Sequence, residues 1–380
     1  MGVHRDLVLV TAGLGLDGGG RAVAGRLLAR AGADWARARG AGFRVLDLGG
    51  GAPPGLEGLA VRSFAGRRAA LAAAVARAQL GRRTPALAFD LLGLARVQAL
   101  LPAALRSPYL VAVYGIEVWR PLTWSRRRAL AGAAVRIGIS RAALDRARPF
   151  LPARAGEVSV VPLCLEERPP EGEPDAKLLA RLEEWGRGGP SVLIVGRMES
   201  TERYKGHDEL LEGWPAVEAR LRERGAEAPR LVVAGGGGDR ARLEARAAEL
   251  GLGERVRFTG FVSEATLAEL YRRASVFALP SRGEGFGLVY LEAMRAGKPC
   301  VALRGTAAEE VVVDGETGLL VPAGDAPSRS GALAAALAEL LSDPERARRM
   351  GAAGRERWRS AFGYDRFSAR LASHLDELTA

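Results

Sequence analysis

Val276-Phe277-Ala278-Leu279-Pro280-Ser281-Arg282-Gly283-Glu284-Gly285-Phe286-Gly287-Leu288-Val289-Tyr290-Leu291-Glu292-Ala293-Met294 runs from an apolar stretch through a glycine-rich turn into an amphipathic pattern. The order is that of a buried strand, a loop and a helix. Glycines let backbone N–H groups approach an anion closely. The helix start behind them offers further unpaired donors and a positive dipole end. Glu292 lies about two turns into that helix, at roughly 100° per residue. One carboxylate thus stands at the loop mouth and a second further along. That spacing suits a ligand with a phosphate in the middle and hydroxyls at both ends, which describes a nucleotide sugar. A surface loop followed by a helix with a solvated Glu reads equally well from these residues alone.

Outward from this unit, the same alternation repeats. Apolar runs at 192–195, 231–234, 256–259, 276–279, 300–302 and 319–321 read as strands, with helical patterns at 208–224, 240–250, 263–274 and 288–296. The first half alternates likewise, with strands at 7–11, 43–48, 86–89, 110–113, 135–139 and 158–162 and helices at 21–31, 67–79 and 94–105. Between the halves, 166–189 is rich in Glu, Pro and Gly, holds a short helical piece near 178–185, and reads as a linker. The fold class expected is α/β, two Rossmann-like parallel-sheet domains facing across a cleft: 1–165, then 190–361. Ligands in such sheets bind beyond the carboxyl ends of the strands. Residues from 328 onward are mostly helical, and Trp358, Phe362, Tyr364 and Phe367 are placed to pack a terminal helix, about 362–380, back onto the first domain.

Bulk properties agree with this division. A chain of 380 residues exceeds one ordinary core. Its 48% hydrophobic and 26% charged content are those of a globular protein, and no run of eighteen apolar residues suggests a membrane span. The apolar run at 7–10 follows Asp6 and reads as a first strand, not a signal peptide. Cys164 and Cys300 form no disulfide framework, which points to a reducing, cytoplasmic setting. His4, His207 and His374 have no metal-ligand spacing, and no Asp-x-Asp occurs, so a metal-free chemistry is expected. The net charge of +11 is uneven: residues 1–165 carry 24 Lys and Arg against 9 Asp and Glu, a net +15, leaving −4 for the remainder. A basic half implies either an anionic partner or the solvating surface of a generally Arg-rich chain.

The second half concentrates the chemistry. Gly196-Arg197 ends a strand and Lys205 follows eight residues later in Tyr204-Lys205-Gly206-His207-Asp208. Arg offers a planar fork for phosphate oxygens and Lys a movable point charge. A diphosphate leaving group gains charge as its bond to sugar breaks, so two cations there favour the transition state over the ground state. Surface pairing with Glu199, Glu202 or Asp208 is the alternative. The turn Gly235-Gly236-Gly237-Gly238-Asp239 is weak evidence by itself. Gly260-Phe261-Val262-Ser263 either borders a base or is an ordinary turn with Ser263 as helix cap.

Taken in order, Gly196-Arg197, Tyr204 to Asp208, the glycine turn, Gly260 to Ser263, Glu284 with Glu292, and Asp314-Gly315-Glu316-Thr317-Gly318-Leu319-Leu320-Val321 resemble the retaining glycosyltransferases of family 4, the glycosyl transferases group 1, with the GT-B fold. The resemblance covers essentially all of 190–325. It implies that Arg197 and Lys205 grip the diphosphate and that Glu284 touches the hydroxyls of the reacting sugar. It further implies that the backbone N–H groups of Phe286, Gly287 and Leu288 hold sugar and phosphate, that Glu292 binds the ribose, and that Val262 and Ser263 border the base. In the first half it places the loop with Gly18 and Gly19 over the diphosphate and acceptor. It also sets Tyr114, in Val113-Tyr114-Gly115-Ile116-Glu117, near the sugar, where the family usually has His. Tyr can hydrogen-bond but does not titrate near neutral pH. Pro162-Leu163-Cys164-Leu165 in place of Pro-Asn-Gly, and Gly305-Thr306-Ala307-Ala308 in place of Gly-Gly-x-Pro before Glu310, are further departures.

The implied activity is retaining, metal-independent transfer of a hexose from a UDP- or GDP-sugar to an acceptor hydroxyl, lipid-linked or soluble, in glycolipid or surface polysaccharide biosynthesis. No cofactor is implied, since the nucleotide sugar is a substrate. A disaccharide phosphorylase of the same fold and a non-catalytic nucleotide-binding scaffold are the alternatives. Arg67, Arg68, Arg77, Arg82 and Arg83, with Trp119, Arg120, Trp124, Arg126, Arg127 and Arg128, mix cations and aromatics. They read either as an anionic membrane surface contact on the inner face of the cell membrane or as a solvated helix face. Nucleic acid is not expected, because no aromatic single-strand platform accompanies the basic residues.

Overall fold

The computed structural model describes residues 4–15, 19–50, 56, 58–80, 84–118, 121–151, 158–165, 167, 172–186 and 189–380. The chain divides into two units: Met1–Cys164 with Tyr364–Ala380, and Leu165–Gly363.

The first unit is built on seven strands: β1 (Leu7–Thr11), β2 (Phe43–Asp47), β3 (Val61–Ser63), β4 (Ala86–Phe89), β5 (Tyr109–Val113), β6 (Val135–Gly138) and β7 (Val158–Val160). All are parallel, in the order β3-β2-β1-β4-β5-β6-β7. Strands β1, β4 and β5 are buried along their whole length, as continuous apolar runs covered on both faces must be. The connecting helices are α1 (Gly19–Arg39), α2 (Arg68–Ala78), α3 (Arg96–Leu100), α4 (Trp124–Ala131) and α5 (Arg141–Ala147). The helix expected over 94–105 is interrupted: α3 stops at Leu100, and only a short 3-10 turn, Ala103–Leu105, follows Pro102. Proline supplies no N–H and pushes the residue before it into extended backbone, here Leu101 at ψ 145°. Strand β3 was not foreseen. It is a three-residue edge strand with an exposed Val-Arg-Ser sequence and offers no apolar run to read.

The second unit opens with α6 (Ala176–Trp185), inside the segment read as a linker. Asp175 caps it, the Asp175 N–H donates to Thr266, and the Trp185 indole donates to the Glu254 carbonyl, so this helix is packed onto the second unit. Six parallel strands follow: β8 (Ser191–Val195), β9 (Arg230–Ala234), β10 (Val256–Gly260), β11 (Val276–Leu279), β12 (Cys300–Leu303) and β13 (Gly318–Val321). Their order is β10-β9-β8-β11-β12-β13. The helices are α7 (His207–Glu223), α8 (Arg240–Glu249), α9 (Glu264–Arg273), α10 (Leu288–Arg295), the short α11 (Ala308–Val311), α12 (Ala326–Ser342) and α13 (Pro344–Phe362). A last helix, α14 (Tyr364–Thr379), belongs to the first unit and packs on α1.

The four C-terminal aromatics therefore divide, contrary to the expectation that all serve the first domain. The Trp358 indole donates to the Leu165 carbonyl and Phe362 meets Phe286 edge-on, both within the second unit. Tyr364 donates to Asp34 and Phe367 is buried, both within the first.

Each sheet reverses its strand order once: between β1 and β4 in the first unit, between β8 and β11 in the second. In open parallel sheets the crevice beyond the carboxyl ends at such a reversal is the ligand site. That rule selects Gly196-Arg197 after β8 and Pro280 to Glu284 after β11, and, in the first unit, Thr11 after β1 and Asp90 after β4.

Candidate functional site

The β8 exit is shaped by glycine. A Cβ on Gly235, at φ 136°, would lie 2.1 Å from the Gly196 carbonyl oxygen, and one on Gly237, at φ 146°, 2.1 Å from that of Met198. The glycine turn after β9 thus lies directly against the backbone after β8, fastened by Met198 N–H to Gly236 and Asp239 N–H to Met198. Asp239, at the end of this turn, accepts two hydrogen bonds from Arg203, at 2.8 and 2.9 Å, and others from Arg242. These arginines hold its carboxyl well below the usual range. Arg242 also grips Asp208 at 2.6 Å, so Asp208 is no counterion of Arg197 or Lys205.

The loop before α7 carries Lys205 to the end of β11. Gly206 sits at φ 87°, and a Cβ there would lie 2.5 Å from the Pro280 ring and 2.6 Å from its carbonyl oxygen. The Arg282 N–H donates to the Tyr204 carbonyl at 2.9 Å. Held by these contacts, Lys205 Nζ donates to Glu284 Oε1 at 2.8 Å, with both side chains 16% exposed. Lys205 and Glu284 are 79 residues apart in sequence, and the strand reversal makes them neighbours. Arg197, 67% exposed, pairs with Glu202. Each expected phosphate-binding cation therefore already carries a carboxylate. Beside them, His207 is buried, and burial with the nearby Lys205 charge lowers its pKa to about 4. It is neutral at physiological pH.

The glycine loop then turns into α10. Gly287 caps this helix at φ 95°, where a Cβ would lie 2.4 Å from the Tyr290 ring. Tyr290 is buried and donates to the Leu279 carbonyl at 2.7 Å, which ties the first turn of α10 to the end of β11. The N–H groups of Gly287 and Leu288 stand at that helix N-terminus, where donors lack intrahelical acceptors. Phe286 is buried against Phe362. Glu292 is partly buried and accepts from the Tyr271 hydroxyl at 2.8 Å; burial pushes its carboxyl pKa up, against that hydrogen bond and the nearby Arg295. Ser263 caps α9, accepting from the Thr266 N–H at 3.2 Å, and Val262 lies beside it, half-buried.

Tyr114 belongs to the first unit. It follows β5, is 7% exposed, and its hydroxyl has no hydrogen-bond partner among the described residues. Its N–H donates to Glu117 Oε1 at 2.9 Å. Burial raises the phenol well above its ordinary value, helped by the Asp90 and Glu117 carboxylates. Asp90 accepts from the Thr11 hydroxyl at 2.6 Å and from the Ala12 N–H at 3.2 Å, and burial lifts it to about 7 despite those bonds. The sequence reading passed over Asp90. Its one signal was position, directly after a buried strand at the sheet's reversal. Tyr271 and Arg203 were passed over too, for each acts on a partner distant in sequence, Glu292 and Asp239. Gly19 opens α1 at φ 56°, exposed; Gly18 lies outside the described residues, as do Arg82, Arg83, Trp119 and Arg120. Among the described residues no three His, Cys, Asp or Glu side chains gather as a metal site would need.

Residues 183–357 match the family described as glycosyl transferases group 1. Two relatives are a GDP-mannose-dependent alpha-(1-6)-phosphatidylinositol monomannoside mannosyltransferase of Mycolicibacterium smegmatis and an alpha-D-kanosaminyltransferase of Streptomyces kanamyceticus. The first is 36% identical over 211 residues, 53% of this chain and 52% of that protein. The second is 31% identical over 228 residues, 60% and 56% of the two chains. The chain thus spans about half the length of the curated relatives it matches. Among solved structures, Anabaena HepE in complex with UDP and glucose superposes with a TM-score of 0.76 at 20% identity, over 98% of this chain and 100% of that one. Sucrose-phosphate synthase from Thermosynechococcus elongatus gives 0.73 at 24%, over 98% and 99%. These likenesses show the fold, the two parallel-sheet domains of GT-B.

Proposed function

We propose, from the match of residues 183–357 to the glycosyl transferases group 1, that the chain transfers a hexosyl group from a UDP- or GDP-sugar to an acceptor hydroxyl, retaining the anomeric configuration and using no metal ion. The observation that carries the proposal is the Lys205–Glu284 pair at the strand reversal of the second sheet, beside the N-terminus of α10. Donor diphosphate entering there takes over Lys205 as its counterion and frees the Glu284 carboxylate for sugar hydroxyls. Arg197, exposed and paired with Glu202, swings to the phosphate. Glu292, oriented by Tyr271, presents its other oxygen to ribose hydroxyls.

In the transfer, the bond from the anomeric carbon to the leaving phosphate oxygen breaks as the acceptor oxygen attacks from the same face. The acceptor proton passes to that leaving oxygen. Lys205 and the helix N-terminus stabilise the charge that develops there. Two relatives' names speak of GDP-mannose and of a kanosaminyl group, and a solved neighbour holds UDP and glucose, which keeps both bases open for this chain. A cytoplasmic enzyme acting at the inner membrane face is part of the proposal. Among the described residues no helix is long and apolar enough to cross a membrane.

The test is a thermal-shift screen against UDP, GDP and ADP, then transfer assays with the matching sugars, with and without EDTA. Lys205→Ala and Glu284→Gln are expected to lower kcat by about 10²–10³ while the protein stays folded. Near-normal turnover in both variants overturns the site, and activity abolished by EDTA overturns metal independence.

A further inference from the structure

In the first unit, beyond the carboxyl ends of β1 and β4, a cavity of about 580 Å³ opens between α2 and α3. Its walls are Leu48, Leu71, Val75, Leu91, Leu94 and Val97, and Leu100, 73% exposed, stands at its mouth. Among the described residues no carboxylate lines it. Four arginines do: Arg21, Arg68, Arg96 and Arg126. Arg96 donates to Ser125 at 2.9 Å, and Arg21 and Arg126 feel the half-buried Glu117 electrostatically, but none of the four makes an ion pair with a described carboxylate. Among the described residues five large hydrophobic side chains are exposed, and four belong to this unit: Leu80, Leu100, Leu105 and Trp124. Leu80 follows α2, Leu100 ends α3, Leu105 ends the turn after it and Trp124 opens α4; Leu100 lines the cavity itself, and Trp124 precedes the lining residues Ser125 and Arg126.

We infer that this cavity takes a hydrocarbon chain of an anionic membrane lipid, with the lipid phosphate among the four arginines. A bare sugar is the wrong occupant, because its hydroxyls need acceptors as well as donors, whereas the lining combines apolar walls with cationic arginines. A free phosphate has no use for the apolar walls. An anionic amphiphile uses both, and exposed Trp and Leu beside arginine are what a protein surface presents to a headgroup layer. The inference deepens the proposed transfer by making the acceptor a phosphate-bearing lipid, and to that extent it rests on that reading.

Binding is measured calorimetrically on the full chain with a twelve-carbon lysophosphatidylglycerol below its micelle concentration, beside glycerol 3-phosphate and dodecyl maltoside. The lysolipid is expected to bind at least about a hundredfold tighter than glycerol 3-phosphate, since the buried chain supplies the difference. Ala72→Trp, which fills the cavity from α2, should remove that difference, as should Leu100→Gln at the exposed mouth, where folding is not at stake. Arg68→Glu should weaken lysolipid binding about tenfold and leave dodecyl maltoside unchanged. Glycerol 3-phosphate binding as tightly as the lysolipid would reveal a free-phosphate site and overturn the inference. So would wild-type lysolipid binding by both Ala72→Trp and Leu100→Gln. Nucleotide-induced thermal shifts in the same variants separate the two claims: lipid binding without any nucleotide response counts against the transferase reading alone, and the reverse against the lipid cavity alone.

Discussion

Asp90 shows how a single buried residue leaves a signature in solution. Its carboxyl is enclosed at the end of β4, and burial, with smaller contributions from Asp47 and Glu117, raises it from 3.8 to about 7 against the hydrogen bonds from Thr11 and Ala12. The folded chain therefore binds this proton more tightly than the unfolded chain. The stability this contributes is complete below about pH 4 and is lost as pH rises through about 7. His207 acts in the opposite sense. Its pKa falls from 6.5 to about 4, so its contribution is present above 6.5 and is lost as pH falls through 4. Asp90→Asn is expected to reduce the decline in urea midpoint predicted for the parent protein between pH 5 and pH 7; an unchanged slope would show that Asp90 stays ionised. Of the residues singled out in sequence, Glu284 and Lys205 meet, Glu292 finds Tyr271, and Ser263 serves as a helix cap. Spacing along the chain reveals which carboxylates follow a strand but not which cation will face them.

Among the elements, the glycine at the start of α7 does most to set the site. Gly206 combines a left-handed φ of 87° with a Pro280 contact closer than any Cβ permits. Gly225, just beyond the end of α7, has φ 66° and nothing within 4 Å of its absent Cβ. The pair makes a controlled experiment. Gly225→Ala is expected to cost about 1 kcal/mol, the conformational penalty alone. Gly206→Ala should cost about 3 kcal/mol, since the clash forces the loop off Pro280, and should raise KM for the proposed nucleotide-sugar donor by displacing Lys205. Equal costs in urea unfolding, with unchanged KM, would remove Gly206 from the account. Strands of this chain were legible where apolar runs were long and buried; β3 was not, being an exposed edge. The helix over 94–105 was overread because periodicity continues past Pro102 while the backbone cannot.

For the whole molecule, the decisive device is the return of α14 to the first unit. Tyr364 donates to Asp34 at 2.6 Å, the Trp35 indole donates to Asp376 at 2.8 Å, and Arg39 pairs with Asp376 at 2.7 Å. Beneath these contacts Phe367, Leu371, Leu375 and Leu378 are buried. Four such side chains contribute roughly 6–12 kcal/mol at about 1.5–3 kcal/mol each, which is comparable to the net stability of a domain. Removing residues 364–380 is expected to leave the first unit molten, read as lost amide protection in β1 and β2 by hydrogen exchange, with β8 to β13 still protected. Tyr364→Phe should cost only about 1 kcal/mol. Full protection of β1 after the truncation would show that α14 is dispensable.

The sequence by itself determined that the chain alternates strand and helix twice over, because buried parallel strands must be apolar throughout and their connections must turn on glycine. It also determined which residue types stand after each strand, and so brought Arg197, Lys205, Glu284 and Glu292 forward as a group. Tertiary structure alone decided which of these touch. The reversal of strand order sets the end of β11 beside that of β8, giving Lys205 its partner Glu284 and leaving Arg197 to Glu202. It alone decided that Tyr114 is enclosed near Asp90 and that an arginine-rimmed apolar cavity opens above the first sheet. Burial and proximity come from contacts between residues far apart along the chain, and local pattern carries no record of them.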